Sequence, residues 1–261
     1  MSTLDYTSDE MMTVSAARML RNGAVCFVGI GLPSTAANLA RLTHAPDVVL
    51  IYESGPIGAK PSHLPLSIGD SELAETADTV VSTPEVFRYW LQGGRVDVGF
   101  LGAAQIDRYA NINTTVIGDY RSPTVRLPGA GGAPEISSNA KEVLLIVRQT
   151  LQTFVEKLDF VTSVGFLSGG DSRAAAGIRG GGPTAVITDL CILQPRLPRR
   201  ELVVTTMHPG ISRERIVRST SWDLHFAEDC GVTVAPTEHE LEVLRQLHGQ
   251  SAAAYAAGDG A

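Results

Sequence analysis

The sequence predicts an α/β protein with an open, mostly parallel sheet flanked by helices. Mostly apolar runs with β-branched residues, typical of buried parallel strands, recur along the chain, at 24–28, 48–52, 96–101 and 143–147. Helical patterns lie between these runs, and turns rich in glycine or polar residues follow several of their carboxyl ends. Because open α/β sheets bind ligands outside the carboxyl ends of their strands, we look for the chemistry in those turns.

The bulk composition excludes several classes of function. The 261 residues carry a formal net charge of −7 and contain no basic run, which argues against a nucleic-acid partner. No apolar segment approaches 18 residues without a charge, so we expect no membrane span. We find no linker and expect a single domain over residues 1–261, with an Ala/Gly-rich tail that is frayed from about 248.

The cysteines and the N-terminus favour the cytoplasm. Cys26, Cys191 and Cys230 are scattered and odd in number, and the first two lie in apolar runs as small core residues. No C-x-x-C and no His/Cys cluster has the spacing of metal ligands, so we expect no metal. No basic stretch followed by an apolar one opens the chain, which predicts no secretory signal.

The first half of the chain predicts a βαβ unit. A helix at 11–20, closed by Asn-Gly, precedes the strand 24–28. The loop Gly29-Ile30-Gly31-Leu32-Pro33-Ser34 then leads to a helix from Ser34 to Leu42, with the Ser34 hydroxyl as the candidate N-cap. The strand at 48–52 follows and ends at Glu53.

Glu53 is the candidate centre of the chemistry. It stands at the carboxyl end of a buried strand, before Ser54-Gly55-Pro56, on a turn that allows close approach to the backbone. One alternative is a structural acid that caps the turn or pairs with a cation. Another is a dinucleotide site, since Gly29-x-Gly31 follows a strand and has an acid about 20 residues on, although Ser34 replaces the third glycine.

Two further turns are candidate parts of a site. Residues 102–107, including Gln105, form a polar turn at another strand end. Residues 129–132 hold three glycines ahead of a short helix at 135–140, and such a nest of backbone N–H groups could hold an anion or an oxyanion. The Gly/Pro/Ser-rich loop at 54–70 is long enough to be functional, with Lys60 and His63 read as solvated side chains.

The remaining elements follow from the same patterns. We predict helices at 71–77, 84–91, from Ser212 and at 237–247, an edge or exposed strand at 111–118, and a strand at 160–164. We predict a mobile surface loop at 165–183, and an antiparallel hairpin formed by 185–193 and 202–207.

Taken in order, these motifs closely resemble the β-subunits of class I (family I) CoA-transferases, over about residues 8–247. The likeness is carried by an ordered set of segments, namely Gly29-Ile30-Gly31-Leu32-Pro33, Glu53-Ser54-Gly55, Gly102 to Asp107, Asn111-Ile112-Asn113 and Gly129 to Ala133. Within the family it is strongest to the branch of 3-oxoadipate CoA-transferase β-subunits, related to the glutaconate CoA-transferase β-subunits.

The resemblance implies the CoA-transferase (NagB/RpiA-like) fold, a separate α-subunit with further assembly of αβ pairs, and Glu53 as the nucleophile. It implies transfer of CoA from succinyl-CoA to 3-oxoadipate in the β-ketoadipate pathway of aromatic compound degradation. Glu53 would form a γ-glutamyl-CoA thioester, with CoA thioester as substrate and no cofactor. Gly131 and Gly132 are the candidate oxyanion donors, Gly29 and Gly31 lie towards CoA, and Ser54, Gly55 and Gln105 are candidate substrate-loop residues.

Other functions fit the same residues. Glutaconate or another short dicarboxylate is the alternative acceptor. Relatives of this fold that lack the glutamate hydrolyse CoA esters. A dinucleotide-binding protein and a non-catalytic regulatory subunit complete the set.

Overall fold

A computed structural model describes residues 5–258 of the chain. Two short segments lie outside the described range, residues 1–4 and residues 259–261. The first belongs to the N-terminal stretch in which we predicted no secretory signal, and the second belongs to the tail that we predicted to be frayed. The helices are α1 Ser8–Ala17, α2 Leu32–Leu42, α3 Ser71–Glu75, α4 Thr83–Glu85 continued by a π-helix Val86–Leu91, α5 Ala133–Asn139, α6 Ser172–Ala175, α7 Arg213–Arg218 and α8 Glu238–Gly258.

The strands are mostly short. They are β1 Val25–Val28, β2 Val49–Tyr52, β3 Pro56–Ile57, β4 Thr79–Val80, β5 Val98–Leu101, β6 Gln105–Ile106, β7 Ile112–Asn113, β8 Val116–Gly118, β9 Pro123–Arg126, β10 Glu142–Ile146, β11 Pro183–Ile187, β12 Cys191–Arg196, β13 Glu201–Met207 and β14 His225–Val232.

The chain forms two compact units. The N-terminal unit comprises the residues up to Phe100 together with those from Ala235 onward, and the central unit runs from Leu101 to Val234.

In the N-terminal unit the strands lie in the order β5-β1-β2-β3-β4. β1 pairs in parallel with both β5 and β2, and α2 makes the crossover between β1 and β2. The two-residue strands β3 and β4 add antiparallel pairs beyond β2. The buried faces of β1 and β2 supply the core, which includes Cys26, Phe27, Leu50 and Ile51. The predicted βαβ unit is therefore confirmed.

α1, α2 and α8 pack together in this unit. Thr7 and Glu10 form the capping box that starts α1, where each side chain bonds the other residue's backbone N–H. Two ion pairs join α1 to α8, Arg18 to Glu240 at 2.6 Å and Arg245 to Glu10 at 2.6 Å.

Two helices differ from the sequence prediction at their ends. α2 begins at Leu32 rather than Ser34, because Gly31, with φ of 82°, turns the chain directly into the helix and no side chain caps it. The Ser34 hydroxyl lies inside the helix and bonds the Tyr52 hydroxyl instead. α8 continues to Gly258 through the segment that we expected to fray, since Ser251 and Tyr255 bond the loop before α3.

In the central unit the strands lie in the order β14-β13-β12-β11-β10. β12 and β13 form the predicted antiparallel hairpin. The run at 185–193, expected as one strand, is two, because the Thr188 hydroxyl accepts the N–H groups of Leu190 and Cys191 and turns the chain back. β14 pairs in parallel with β13 and had no sequence prediction.

Two other predictions for this unit are wrong. Residues 160–164 form no strand, only an isolated bridge at Ser163, because they run beside β7 rather than into the sheet. Residues 111–118 are not one exposed strand but β7, which is buried, and β8.

The loop at 165–183 is packed rather than mobile. Arg173, on α6, is 5% exposed, and its guanidinium donates to the carbonyl oxygens of Gly180, Gly165 and Ser137 at 3.0, 2.8 and 2.6 Å. A Cβ at Gly180 or Gly181 would overlap backbone atoms at the end of α5 or just after it. The glycines therefore allow close packing here rather than flexibility.

The predicted α/β class with an open sheet and flanking helices is confirmed. Parallel pairs form the interior of the N-terminal unit and join β10 to β11 and β13 to β14 in the central unit. In these strand orders the antiparallel pairs involve β3 and β4 and the β11-β12-β13 meander, and β6–β7 and β8–β9 form two small antiparallel sheets. Among the described residues, no helix combines the length and the apolar character that a bilayer crossing requires.

Candidate active site

Glu53 is the first residue after β2. Val28 of β1 pairs with Tyr52 of β2 in parallel register, so Gly29 and Glu53 begin neighbouring turns at the same edge of the sheet. The Glu53 side chain is half-buried. Among residues 5–258 no hydrogen bond or ion pair engages its carboxylate. The structural alternative, a carboxylate that caps a turn or pairs with a cation, therefore has no support among the described residues.

The turn that follows Glu53 requires glycine. Gly55 has φ of +124°, and its N–H donates to the Tyr52 carbonyl at 3.0 Å. A Cβ there would overlap the Val81 carbonyl oxygen. Between them, the Ser54 hydroxyl is buried and has no hydrogen-bond partner within the described range. Gly55 thus sets the path of the turn, and the residue directly after Glu53 carries a hydroxyl with no partner among the described residues.

A buried polar cluster lies directly before Glu53. The Tyr52 hydroxyl is 3.0 Å from the Ser34 hydroxyl, and the Asn38 amide donates to the Ser34 carbonyl at 3.0 Å. Arg41 donates to the Asn38 oxygen at 3.2 Å. Burial raises the pKa of Tyr52 despite these hydrogen bonds. Because a buried phenol costs free energy unless it is bonded, the cluster fixes the end of β2 against α2.

Gly29 and Gly31 leave open space beside this turn. A Cβ at either position would meet no atom within 4 Å. Gly31 needs its glycine for the positive φ at the start of α2, whereas the backbone of Gly29 is not in the left-handed region. The open space at Gly29 is thus not explained by packing or by strain.

In the central unit, residues 129–132 form the predicted glycine nest. Gly129 and Gly131 have φ of 107° and 49°, and a Cβ at either would meet open space. Thr114 fixes one end, since its hydroxyl donates to the Gly129 carbonyl at 2.8 Å. Gly132 is the N-cap of α5, and neither its N–H nor that of Gly131 has an acceptor within the described chain.

Gln105 is held inside the central unit. It is 6% exposed in β6; its amide donates to Asp159 at 2.8 Å, and its oxygen accepts from the Asn113 amide at 2.8 Å. The Asp159 N–H donates to the same oxygen at 3.1 Å. With its oxygen and one amide hydrogen engaged, Gln105 holds two segments of backbone together.

His208, Cys26 and Cys191 are buried. His208 is buried, bonding the Thr188 carbonyl at 2.8 Å and the Thr233 hydroxyl at 3.1 Å, and burial lowers its pKa. Cys26 and Cys191 are buried thiols, as predicted. Within the part of the chain that the structure describes, no group of His, Cys, Asp or Glu side chains could hold a metal ion.

The sequence reasoning missed Tyr52, Ser251 and Tyr255. Tyr52 had a readable signal, because it is the one residue with a polar tip in the apolar run of β2, and Ser34 and Asn38 lie four residues apart on a small apolar helix. Ser251 and Tyr255 had none, since they lie in an Ala-rich stretch whose partners are about 190 residues away.

Comparison with known proteins decides the family. The family model described as Coenzyme A transferase matches residues 9–219. The chain is also 68% identical, over 96% of both chains, to the B subunit of 3-oxoadipate CoA-transferase from Pseudomonas knackmussii. The chain belongs to the coenzyme A transferase family. This confirms the resemblance inferred from the glycine turns and the Glu-Ser-Gly motif.

More distant CoA-transferases agree in sequence and fold. The B subunit of glutaconate CoA-transferase from Acidaminococcus fermentans is 32% identical over 93% of this chain and 92% of its own. The crystal structure of glutaconate coenzyme A-transferase from the same organism matches with a TM-score of 0.87 at 31% identity, covering 92% of this chain and 94% of that one. The CoA-transferase fold predicted from the sequence is thereby confirmed.

Proposed function

We propose that this chain is the β-subunit of a CoA-transferase that moves CoA from succinyl-CoA to 3-oxoadipate. The observation that carries this is the 68% identity, over nearly the whole chain, to the corresponding subunit of a 3-oxoadipate CoA-transferase. The glutaconate enzyme's counterpart, at 32%, is far more distant, which makes glutaconate the second candidate acceptor.

Glu53 is the proposed nucleophile. One oxygen of its carboxylate attacks the thioester carbonyl of succinyl-CoA, the C–S bond breaks, and CoA leaves as the thiolate from an acyl-glutamyl anhydride. The thiolate then attacks the glutamyl carbonyl and releases succinate, which leaves a γ-glutamyl-CoA thioester on the enzyme. The acceptor carboxylate runs the two steps in reverse and departs as its CoA ester. Covalent catalysis replaces one difficult exchange with two easier ones.

The surroundings of Glu53 support this role. A glutamate is ionised at neutral pH, so a nucleophilic carboxylate needs no general base. Within the described chain Glu53 has no cation partner that would reduce its nucleophilicity. The open space beside Gly29 and Gly31, in the neighbouring turn, would allow a thioester to approach. We therefore assign these two glycines to the CoA end of the substrate.

Five further residues would complete the site. Gly131 and Gly132 would supply N–H donors to the oxyanions of the tetrahedral intermediates. Ser54 and Gly55 would contact substrate through the hydroxyl and backbone of the turn. Gln105 would shape the substrate loop indirectly, through its bonds to Asn113 and Asp159.

The proposal includes a partner and a compartment. The relative from Pseudomonas knackmussii is named as one lettered subunit of its enzyme, which implies a second, different chain. We propose that a CoA-transferase α-subunit completes this chain, that αβ pairs assemble further, and that the enzyme works in the cytoplasm. We also propose that the two compact units act as one CoA-transferase domain.

A panel of acceptor acids tests the substrate. The chain is co-expressed with its α-subunit, and CoA transfer from succinyl-CoA and acetyl-CoA is measured with 3-oxoadipate, glutaconate and related dicarboxylates. We expect the highest kcat/KM for succinyl-CoA with 3-oxoadipate. A preference for glutaconate would identify the second candidate acceptor. Net release of CoA without transfer would indicate a hydrolase, and full activity of the isolated α-subunit would make this chain regulatory.

Calorimetry with NAD tests the alternative that this chain is a dinucleotide-binding protein. Tight binding of NAD without CoA transfer would favour that alternative.

A further inference from the structure

The last turns of α8 hold down the loop that follows the Glu53 turn. We call residues 60–70 the cover loop and residues 248–256 the C-terminal turns. The Leu64 N–H donates to the Ser251 hydroxyl at 2.8 Å. The Tyr255 hydroxyl lies 2.9 Å from the Leu64 carbonyl and accepts the Leu66 N–H at 3.1 Å. The C-terminal turns thus engage the backbone of the cover loop at three points.

Tyr255 also reaches the end of the cover loop. Its hydroxyl is 2.7 Å from a carboxylate oxygen of Asp70, which caps α3 by accepting the Glu72 N–H. Its ring packs edge-on against the His63 ring, with centroids 5.4 Å apart. Burial and the bond to Asp70 raise the pKa of Tyr255 to about 12, so the phenol stays a donor. One side chain therefore fixes both the middle and the end of the loop.

The cover loop and the C-terminal turns line a half-open chamber. Its volume is about 400 Å³, and its lining is mostly apolar. The walls come from three elements, namely the start of α2, the cover loop and α8, and include Ile30, Gly31, Leu64, Leu66, Ala252 and Tyr255. Loss of the Tyr255 bonds would free the loop that forms one wall.

The chamber borders the turn next to Glu53. Val28 at the end of β1 pairs with Tyr52 at the end of β2. Ile30, two residues after Val28, lines the chamber. Glu53 directly follows Tyr52 on the neighbouring strand. An enzyme-bound thioester survives only where water is kept away. Hydrolysis would add the oxygen of water to the glutamyl carbonyl, break the C–S bond, and release CoA thiol, a proton and the free carboxylate.

We propose that Tyr255 is a positioning residue that holds the cover loop in place as one wall of this chamber and thereby limits the access of water to the Glu53 thioester. The inference rests on the proposed function, because it requires that thioester. It gives the C-terminal turns a role that their Ala-rich sequence does not indicate. Tyr255 acts through Leu64, Leu66 and Asp70, and not by contact with the reacting atoms.

The test compares hydrolysis with transfer in the co-expressed complex. The thioester is formed with succinyl-CoA, excess donor is removed, and loss of enzyme-bound CoA is followed with and without 3-oxoadipate. Tyr255→Phe keeps the ring against His63 and removes the hydroxyl. We expect thioester hydrolysis to be about tenfold faster in this variant than in the wild type, because the loss of one or two hydrogen bonds corresponds to a factor of that size. The rate of CoA transfer should change much less.

Two variants serve as comparison. Ser251→Ala removes the bond to the Leu64 N–H and should also increase the rate of thioester hydrolysis. If Tyr255→Phe fails to fold, this variant still tests the proposal. Tyr89→Phe makes the same chemical change at a side chain that is 59% exposed and should leave the ratio unchanged. Hydrogen exchange at residues 60–70 should speed up in the first two variants only.

The outcomes separate the two proposals. Wild-type complex that forms no thioester on Glu53 would overturn the proposed function and this inference with it. A thioester that forms normally and hydrolyses at the same rate in wild type, Tyr255→Phe and Ser251→Ala would overturn this inference alone. A lower melting temperature with an unchanged ratio of hydrolysis to transfer would make Tyr255 a merely structural residue, which also contradicts it.

Discussion

At the scale of single residues, two glycines near the end of β2 differ in what requires them. One, Gly55, is required by the backbone geometry of the Glu53 turn, and the other, Gly29 in the neighbouring turn, leaves space for a ligand. Gly55 combines φ of +124° with a carbonyl oxygen where its Cβ would lie. Gly29 has neither constraint, and a Cβ there would meet no atom within 4 Å. We therefore expect Gly55 to contribute to the stability of the fold and Gly29 to contribute to substrate binding.

This difference can be measured by alanine substitution. Gly55→Ala should lower the free energy of unfolding by about 1–3 kcal/mol or more, because the strain and the clash cannot both relax. Gly29→Ala should leave stability nearly unchanged and reduce kcat/KM for succinyl-CoA. Denaturant unfolding and steady-state kinetics check the pair. Equal effects of both variants on stability would show that the open space at Gly29 is not reserved for a ligand.

The proposed oxyanion donors can be tested at Gly132. Its φ of −82° suits both alanine and proline, so the two variants differ chiefly in the N–H that proline lacks. Gly132→Ala should retain most activity, whereas Gly132→Pro should reduce kcat by about 10²–10³, the usual effect of one oxyanion donor. Circular dichroism confirms that both fold. Equal activity in the folded proline variant would remove the Gly132 N–H from the mechanism.

At the scale of elements, Arg173 organises the segment between Gly165 and Gly182. Its guanidinium donates to carbonyl oxygens of that segment and of Ser137 in α5, without a carboxylate partner among the described residues. Burial lowers its pKa to about 10, which still leaves it charged at neutral pH. A buried charge of this kind is tolerated because several backbone acceptors surround it.

Removal of this side chain should loosen the segment. Arg173→Met deprives at least three buried carbonyl groups of their donor and should cost about 2–4 kcal/mol of stability. Arg173→Lys keeps the charge but not the planar array of donors, so its effect should be intermediate. Limited proteolysis and hydrogen exchange over 165–182 give the readout. Unchanged protection in Arg173→Met would mean that the glycines alone hold the segment.

The ion pairs between α1 and α8 predict loss of stability in acid. Hydrogen bonding to Arg245 lowers the pKa of Glu10, and bonds from Arg18 and Thr237 lower that of Glu240 although burial opposes them. A carboxylate with a lowered native pKa stabilises the fold above its unfolded pKa, and this stability is lost as pH falls through the native value.

Stability should therefore decline below about pH 4.3, the ordinary pKa of glutamate. The urea midpoint is measured between neutral pH and pH 3 for the wild type and Glu240→Gln. The variant should be less stable at neutral pH and should show a shallower decline. Parallel curves for the two proteins would indicate that other carboxylates cause the acid sensitivity.

At the scale of the whole molecule, the sequence predicted what local pattern encodes. The parallel βαβ unit, the position of Glu53 and the β12–β13 hairpin followed from apolar runs, glycine turns and alternation. The split of 185–193 did not, because a single buried threonine hydroxyl, that of Thr188, makes that turn. The apolar residues on both sides of Thr188 predict one continuous strand.

The misread segments depend on contacts distant in sequence. The glycines at 165–183 resemble those of a flexible loop, and the bonds of Arg173 and the close backbone contacts at Gly180 and Gly181 show them to be packed. The C-terminal turns are Ala-rich, and their order comes from Tyr255 bonding residues about 190 positions earlier. Partners in the site are likewise visible only in three dimensions, as with Tyr52 and Ser34.

The most direct test concerns the covalent bond on Glu53. The complex is exposed to succinyl-CoA without acceptor and then treated with hydroxylamine, which displaces CoA thiol and leaves a hydroxamate that mass spectrometry locates. We expect one hydroxamate per chain, on Glu53, with matching loss of transfer activity only after exposure to acyl-CoA. Glu53→Gln should form none and transfer nothing, while Glu75→Gln, at a glutamate remote from the Glu53 turn in sequence, should behave as wild type. Continued transfer by Glu53→Gln, or a hydroxamate on another residue, would show that Glu53 is not the nucleophile.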